Sequence, residues 1–128
     1  MSTQMVPQQF RAAMWTEKNG QLQFKETQLR NVQPEEAVIK VHYCGLHTTD
    51  EMLKFDKLPG MKFPLIPGSA VVGEIVKAPQ QSKHGLQQGQ RVAAVPFEGG
   101  LAEYCTAHES MIVPLPKNFH EGEQAREA

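Results

Sequence analysis

Short runs in which apolar and polar residues alternate dominate the chain, and stretches with helical periodicity are scarce. The longest alternating run, residues 36–44, reads EAVIKVHYC. Because neighbouring side chains of a β-strand point to opposite faces, the run predicts one apolar face and one mixed face. The apolar face comprises Ala37, Ile39, Val41 and Tyr43, and the mixed face comprises Glu36, Val38, Lys40, His42 and Cys44.

Six further strands are predicted from similar β-branched runs that Gly and Pro separate. They lie at residues 10–17, 22–27, 69–77, 90–96, 101–107 and 111–113. Asn19-Gly20 predicts a tight hairpin turn between the first two. About seven short strands with regular turns predict a mainly β fold, built as a closed or partly open barrel. Residues 49–55 and 119–128 are compatible with short helices.

Composition and charge narrow the class of protein. The 128 residues are 40% hydrophobic and 21% charged, with a formal net charge of −1, as in ordinary globular domains. Lys and Arg are scattered, so neither nucleic acid nor an anionic membrane is expected as a partner. No signal peptide or membrane span is apparent, which predicts a cytoplasmic protein. Reduced thiols are expected for Cys44 and Cys105, because nothing indicates secretion.

The stretch HYCGLHTTDEML, residues 42–53, concentrates polar side chains that could carry chemistry. Cys44 and His47 have the spacing of one half of a zinc site, but a structural zinc needs four ligands and no second pair is present. Alternatively, Thr48 and Glu51 form a capping box that starts a helix. From the residues alone, this stretch could be a metal site, a catalytic cluster or the start of a helix. The start of a helix explains most of its polar residues.

Four segments in order carry a family resemblance. They are AVIKVHYCGLHTTD, FPLIPGSAVVGEIV, GLQQGQRVAAV and GGLAEYCTAHESMIVPLP. Together they resemble the catalytic half of the medium-chain dehydrogenase/reductase superfamily, over residues 10–118. They are most similar to its zinc-independent quinone oxidoreductase and acrylyl-CoA reductase-like branches. The resemblance implies a GroES-like, partly open β-barrel at residues 9–118, and the polar, Gln-rich residues 1–8 before it are expected to form a loose tail. Residues 119–128 would begin a helix leading toward a Rossmann domain.

Two glycine positions in these segments have a physical reason. Gly68, after Pro67, allows a sharp turn that brings backbone close to a cleft. Gly73 interrupts an apolar strand, which predicts a bulge or a close backbone approach.

By position, the resemblance implies roles for three residues of the polar stretch. Thr49 matches a hydroxyl that passes a proton to the substrate oxygen, and Thr48 matches a neighbour of the cofactor pyrophosphate. His47 lies beside the nicotinamide in such a site and could donate a proton near neutral pH. Zinc is not expected, because Ser69 and Ala70 stand where zinc-dependent relatives carry a histidine ligand and a glutamate.

The resemblance also implies an NADP or NAD cofactor and a small-molecule substrate such as a quinone or an enal. No G-x-G-x-x-G pattern is present, so tight dinucleotide binding and activity of this chain alone are not expected. The alternative is a stand-alone GroES-like binding or assembly module without enzymatic activity. A homodimer is a further expectation, because a barrel built to contact a second domain should expose an apolar flank.

Overall fold

The computed structural model describes residues 6–14, 22–29, 31–45, 66, 68, 70–96 and 99–116. In these ranges the chain forms seven strands: β1 (Phe10–Met14), β2 (Gln23–Thr27), β3 (Glu36–Gly45), β4 (Ala70–Lys77), β5 (Arg91–Ala94), β6 (Tyr104–His108) and β7 (Ile112–Pro114). A short 3₁₀ helix, Glu109–Met111, joins the last two. The predicted helices at 49–55 and 119–128 lie outside the described residues. Within the described part of the chain, no helix is long and apolar enough to cross a membrane.

All pairings are antiparallel. β1 and β2 form a hairpin, and the other five strands form one sheet in the order β6-β3-β4-β5-β7. This sheet curls into a half-barrel, so the prediction of a mainly β, partly open barrel is confirmed. The largest core cluster consists of the buried residues Ala37, Ile39, Val71, Ile75, Leu86, Val92, Ala94, Cys105, Ala107 and Ile112.

Strand β3 changes its alternation part of the way along. Val41 pairs with Gly73 and Tyr43 pairs with Val72, so His42 is the extra residue of β3 at this point of the β3–β4 register. Such a bulge moves every following side chain to the other face. Cys44 therefore packs against the core and Tyr43 is 44% exposed. The prediction that Tyr43 shares the apolar face with Ile39, and that Cys44 shares the mixed face with Lys40, was wrong for this reason.

Gly73, opposite the bulge, makes the predicted close approach. A Cβ atom at Gly73 would collide with the backbone oxygen of Lys40, and it would also meet the side chain of Ile39 at 3.0 Å. Glycine is therefore required where β4 crosses the distorted part of β3.

Residues 101–103 connect the hairpin to the sheet, which shortens the strand predicted at 101–107. The amide of Ala13 donates to the oxygen of Leu101 at 2.9 Å, and the amide of Glu103 donates to the oxygen of Arg11 at 3.0 Å. The amide of Val41 then donates to the oxygen of Glu103 at 2.9 Å. The chain thus leaves β1 at Glu103 and continues beside β3 as β6.

A buried acid, Glu109, stabilises the loop at residues 82–84, near the start of β3. Glu109 is 4% exposed and accepts hydrogen bonds from the Ser82 hydroxyl at 3.0 Å and the Lys83 amide at 2.9 Å. Burial alone would raise the pKa of Glu109. These hydrogen bonds, a third from the His84 amide and the charge of His84 outweigh burial and hold that pKa below its ordinary value of 4.5. Glu109 therefore stabilises the loop as a carboxylate.

Candidate functional site

The end of β3 and the start of β4 bring together two segments that the sequence analysis singled out. Gly45, the last residue of β3, pairs with Ala70, the first residue of β4. The polar stretch that contains His47 therefore leaves the sheet next to the PGSA segment. His47, Thr48, Thr49 and Ser69 themselves lie outside the described residues, so their predicted roles stay predictions.

Three chain segments meet around the Cys44 side chain. A Cβ atom placed on Gly68 would strike the Cys44 sulfur, and one on Gly100 would lie 3.6 Å from it. The amide of Gly100 donates to the oxygen of Gly68 at 3.1 Å, which holds the two glycines together. Gly68 has φ of 110°, a conformation that side chains with a Cβ rarely adopt. The predicted close approach of the Gly68 backbone is thus present, against Cys44 and Gly100. The predicted sharp turn involves Pro67 and Ser69, which lie outside the described residues.

An open pocket of about 440 Å³ lies between the hairpin, the end of β3 and residues 100–103. Its size falls in the range of small-molecule sites. Most of its lining is apolar or backbone. The lining residues are Arg11, Ala12, Ala13, Phe24, Val41, His42, Cys44, Gly100, Leu101, Ala102 and Glu103. We call this space the hairpin pocket.

The hairpin pocket carries a charged and aromatic rim. The Arg11 guanidinium carbon lies 5.9 Å from the centre of the Phe24 ring, and that ring is 78% exposed. This is a cation–π contact on the surface. The Glu103 carboxylate accepts a hydrogen bond from the Arg11 amide at 2.6 Å. Neither Arg11 nor Phe24 was predicted as a site residue. The available signals were weak: Arg11 is the one charged residue in the apolar strand FRAAM, and Phe24 is the one apolar residue in the polar strand QFKET.

The two thiols differ in their surroundings. Burial, with a smaller contribution from the nearby Cys44, raises the pKa of Cys105 from 9.0 to about 12. The raised pKa favours the protonated thiol at neutral pH, so Cys105 is expected to be a poorer nucleophile than an exposed cysteine. Cys44 is half-buried and lines the hairpin pocket. Neither is in a disulfide, as predicted.

Metal ligands are not gathered in the described part of the chain, where no three His, Cys, Asp or Glu side chains could share an ion. The predicted half-site included His47, which lies outside that part. The expectation that the chain holds no zinc rests on Ser69 and Ala70 and stays a prediction.

Comparison with known proteins identifies the family. Residues 33–117 match the alcohol dehydrogenase GroES-like domain. Because the match covers more than half of the 128 residues, the chain belongs to this family.

Individual relatives fall in more than one group. The chain is 35% identical over 86 residues to a probable cinnamyl alcohol dehydrogenase of Zea mays, covering 60% of this chain and 23% of that protein. It is 27% identical over 112 residues to quinone oxidoreductase-like protein 2 of Rattus norvegicus, covering 85% and 31%. The chain therefore spans less than a third of either protein.

A solved structure supports the fold. The crystal structure of the human synaptic vesicle membrane protein VAT-1 homolog-like protein superimposes with a TM-score of 0.79 at 23% identity. The match covers 88% of this chain and 37% of that one. At this identity the likeness concerns the fold alone.

Proposed function

We propose that this chain is the substrate-side domain of an NAD(P)H-dependent, zinc-independent oxidoreductase that reduces quinones, enals or related activated alkenes. The observation that carries the proposal is the pairing of Gly45 with Ala70, which puts the two segments with the family's candidate residues at one end of the sheet. The hairpin pocket opens beside this end, since Cys44 lines it. The family match supports the reaction class, and the quinone oxidoreductase-like relative supports the substrate class.

The described residues do not fit a dinucleotide by themselves. Their strands pair antiparallel, whereas a pyrophosphate is usually held at a Gly-rich turn between a parallel strand and a helix. When bound on another domain, a reduced nicotinamide supplies the hydride. This chain would orient the substrate, with Thr48 toward the pyrophosphate. His47 and Thr49 would supply a proton at the substrate oxygen, because imidazole ordinarily titrates near neutral pH.

The zinc-independent assignment is part of the same proposal. Ala70 has no donor atom, and a serine hydroxyl such as that of Ser69 is a poor zinc ligand. Metal analysis of protein purified without chelators tests this. One tightly bound zinc per chain that is lost in His47→Ala would overturn it.

Turnover measurements separate the role of this chain from that of a dinucleotide-binding domain. The 128-residue chain alone should oxidise no NADPH or NADH in the presence of quinones or enals. Fused to the dinucleotide-binding part of rat quinone oxidoreductase-like protein 2, it should do so. In that chimera, His47→Ala or Thr49→Val should lower kcat about 100-fold, as expected for loss of a general acid.

The control in the chimera is His84→Ala, which removes an exposed histidine from a loop on another part of the molecule. Its kcat should match that of the parent. A folded chimera that binds NADPH and reduces neither substrate class would contradict the proposed function, and turnover by the chain alone would contradict its dependence on a second domain.

The second candidate is a non-enzymatic assembly module, and one surface favours it. Tyr43, Val72, Ala93 and Val113 follow one another across four strands, and Val72 among them is buried. Tyr43 and Val113 are 44% and 63% exposed, and Val95 and Met111 beside them are 50% and 53% exposed. Apolar patches of this kind often mark contact sites.

For this second candidate, the expected occupant of the patch is a second copy in a two-fold dimer, because two apolar patches are complementary to each other. Sedimentation over a concentration series should then show a dimer, and Val113→Lys should abolish it. Val6→Lys, which changes a partly buried residue outside the strands, is the control. A monomer at every concentration would remove the support for this candidate.

A further inference from the structure

The Arg11 side chain has an unusual setting at the rim of the hairpin pocket. Among the described residues its guanidinium forms no ion pair, although Glu26 lies directly opposite on β2 and Glu103 lines the same pocket. The Glu103 carboxylate instead accepts from the Arg11 amide. The cation–π contact with Phe24 places the guanidinium beside the ring and uses none of its N–H groups, which have no hydrogen-bond acceptor among the described residues.

The remaining lining determines which molecules would fit below this cation. Ala13, Val41 and Leu101 contribute apolar surface, and Phe24 adds a ring at the rim. Such a surface favours a flat apolar body over a hydrated polar one. A guanidinium with free donors binds a planar carboxylate through two parallel hydrogen bonds. The pocket thus offers one apolar contact and one anion contact.

We propose that the hairpin pocket binds a small planar aromatic carboxylate, with its ring on the apolar lining and its carboxylate on the Arg11 guanidinium. The negative charge of Glu103 weakens the binding of a carboxylate in the same pocket. Its hydrogen bond from the Arg11 amide directs the Glu103 carboxylate toward the β1 backbone. The proposed site needs neither a dinucleotide nor a second domain.

Benzoate is the probe, with benzamide as its uncharged counterpart and cyclohexanecarboxylate as its non-aromatic counterpart. Titrations of the full chain are followed by methyl NMR, in which resonances of Ala13, Val41 and Leu101 should shift together. Benzoate should bind about fivefold more tightly than benzamide, a difference of about 1 kcal/mol. It should also bind more tightly than cyclohexanecarboxylate.

Substitutions test whether the Arg11 guanidinium causes the preference for benzoate over benzamide. Arg11→Gln should remove the preference for benzoate over benzamide, and Glu103→Gln should increase it. Lys25→Gln removes the same charge from the neighbouring strand, but Lys25 alternates with Phe24 and points to the opposite face of the hairpin, so the preference should persist. These side chains are exposed, and thermal unfolding verifies that each variant is folded.

Equal affinity for benzoate and benzamide, an unchanged preference in Arg11→Gln, or shifts confined to other methyl groups would each overturn the proposal. Because no dinucleotide is present in the titration, these results are independent of whether the chain takes part in hydride transfer.

Discussion

The two halves of β3 show how one strand serves both stability and chemistry. In the first half, Ala37, Val38 and Ile39 are at most 1% exposed. All three pair with β6, and Val38 and Ile39 also pair with β4. In the second half, only β4 is paired, and His42 and Tyr43 are exposed. The bulge at His42 separates the halves. A strand whose beginning is locked in the core can thus hold a distorted end beside a pocket.

The difference also explains why a bulge is tolerated there. The β3–β4 ladder also shifts in the first half, between Val38 and Ile39, but the extra residue there is Val76 of β4, so β3 keeps its own alternation. In the second half the bulge at His42 exchanges only Tyr43 and Cys44, and the smaller side chain fits the space beside Gly68 and Gly100. We call residues 36–40 of β3 the core half and residues 41–45 the pocket half. The stability of the protein should therefore be sensitive to lost side-chain volume in the core half and to added volume around the pocket half.

The largest expected effect is on the core half. Ile39→Ala removes a fully buried side chain and should lower the free energy of unfolding by about 2–5 kcal/mol. Tyr43→Ala in the pocket half should change it much less, because Tyr43 is 44% exposed. Urea denaturation of both variants measures the difference. Equal losses would mean that the two halves are not energetically distinct.

Added volume in the pocket half should have the next largest effect. Gly68→Ala places a methyl group against the Cys44 sulfur and strains a backbone with φ of 110°, so about 1–3 kcal/mol of stability should be lost. Gly85→Ala is the matched control, because Gly85 also has positive φ but has open space around it. Denaturant unfolding should show a smaller loss for Gly85→Ala.

A double variant identifies the clash. Cys44→Ala removes the sulfur, so the combined loss in Cys44→Ala/Gly68→Ala should be smaller than the sum of the single losses. Strict additivity would indicate that the sulfur is not what requires glycine at position 68.

The contribution of Glu109 to stability should depend on pH. The folded-state pKa of Glu109 is below its ordinary value of 4.5, so its stabilisation is present above that pH. The stabilisation is lost as pH falls through the lower folded-state value. Thermal melts between pH 7 and pH 3 should therefore show a smaller acid-induced drop in Tm for Glu109→Gln than for the parent.

Glu109→Gln should also have a lower Tm at neutral pH, because it loses the charge that Ser82 and the two amides stabilise. Glu26→Gln, a change of an exposed acid on β2, serves as control and should melt like the parent. A Glu109→Gln profile parallel to that of the parent would show that Glu109 does not anchor the loop.

The last prediction concerns the reactivity of the two thiols and not the stability of the fold. Cys105 pairs with the core half, with a pKa raised to about 12, whereas Cys44 lies in the pocket half. Iodoacetamide labelling of the folded protein at neutral pH, read by mass spectrometry, should modify Cys44 before Cys105. Labelling of Cys105 first, or of both at one rate below the unfolding transition, would contradict this order.

The sequence alone determined the fold class and most strand positions. Alternation and turn residues suffice for this, because burial of one face fixes a strand locally. They also predicted the close approach at Gly73, since glycine weakens a strand interior and is favoured there where a neighbouring backbone leaves no room for a Cβ atom. The candidate residues His47, Thr48 and Thr49 came from the order of four motifs, which periodicity by itself cannot supply.

Only the tertiary structure decided which side chains share the hairpin pocket. The bulge at His42 exists because β4 meets β3 in one particular register, and no local pattern in HYCG encodes it. Likewise, Arg11, Phe24 and Leu101 come together because residues 101–103 pair with β1 before the chain joins the sheet. Contacts between distant segments depend on the register and curvature of the whole sheet, whereas alternation along one segment records only which face that segment buries.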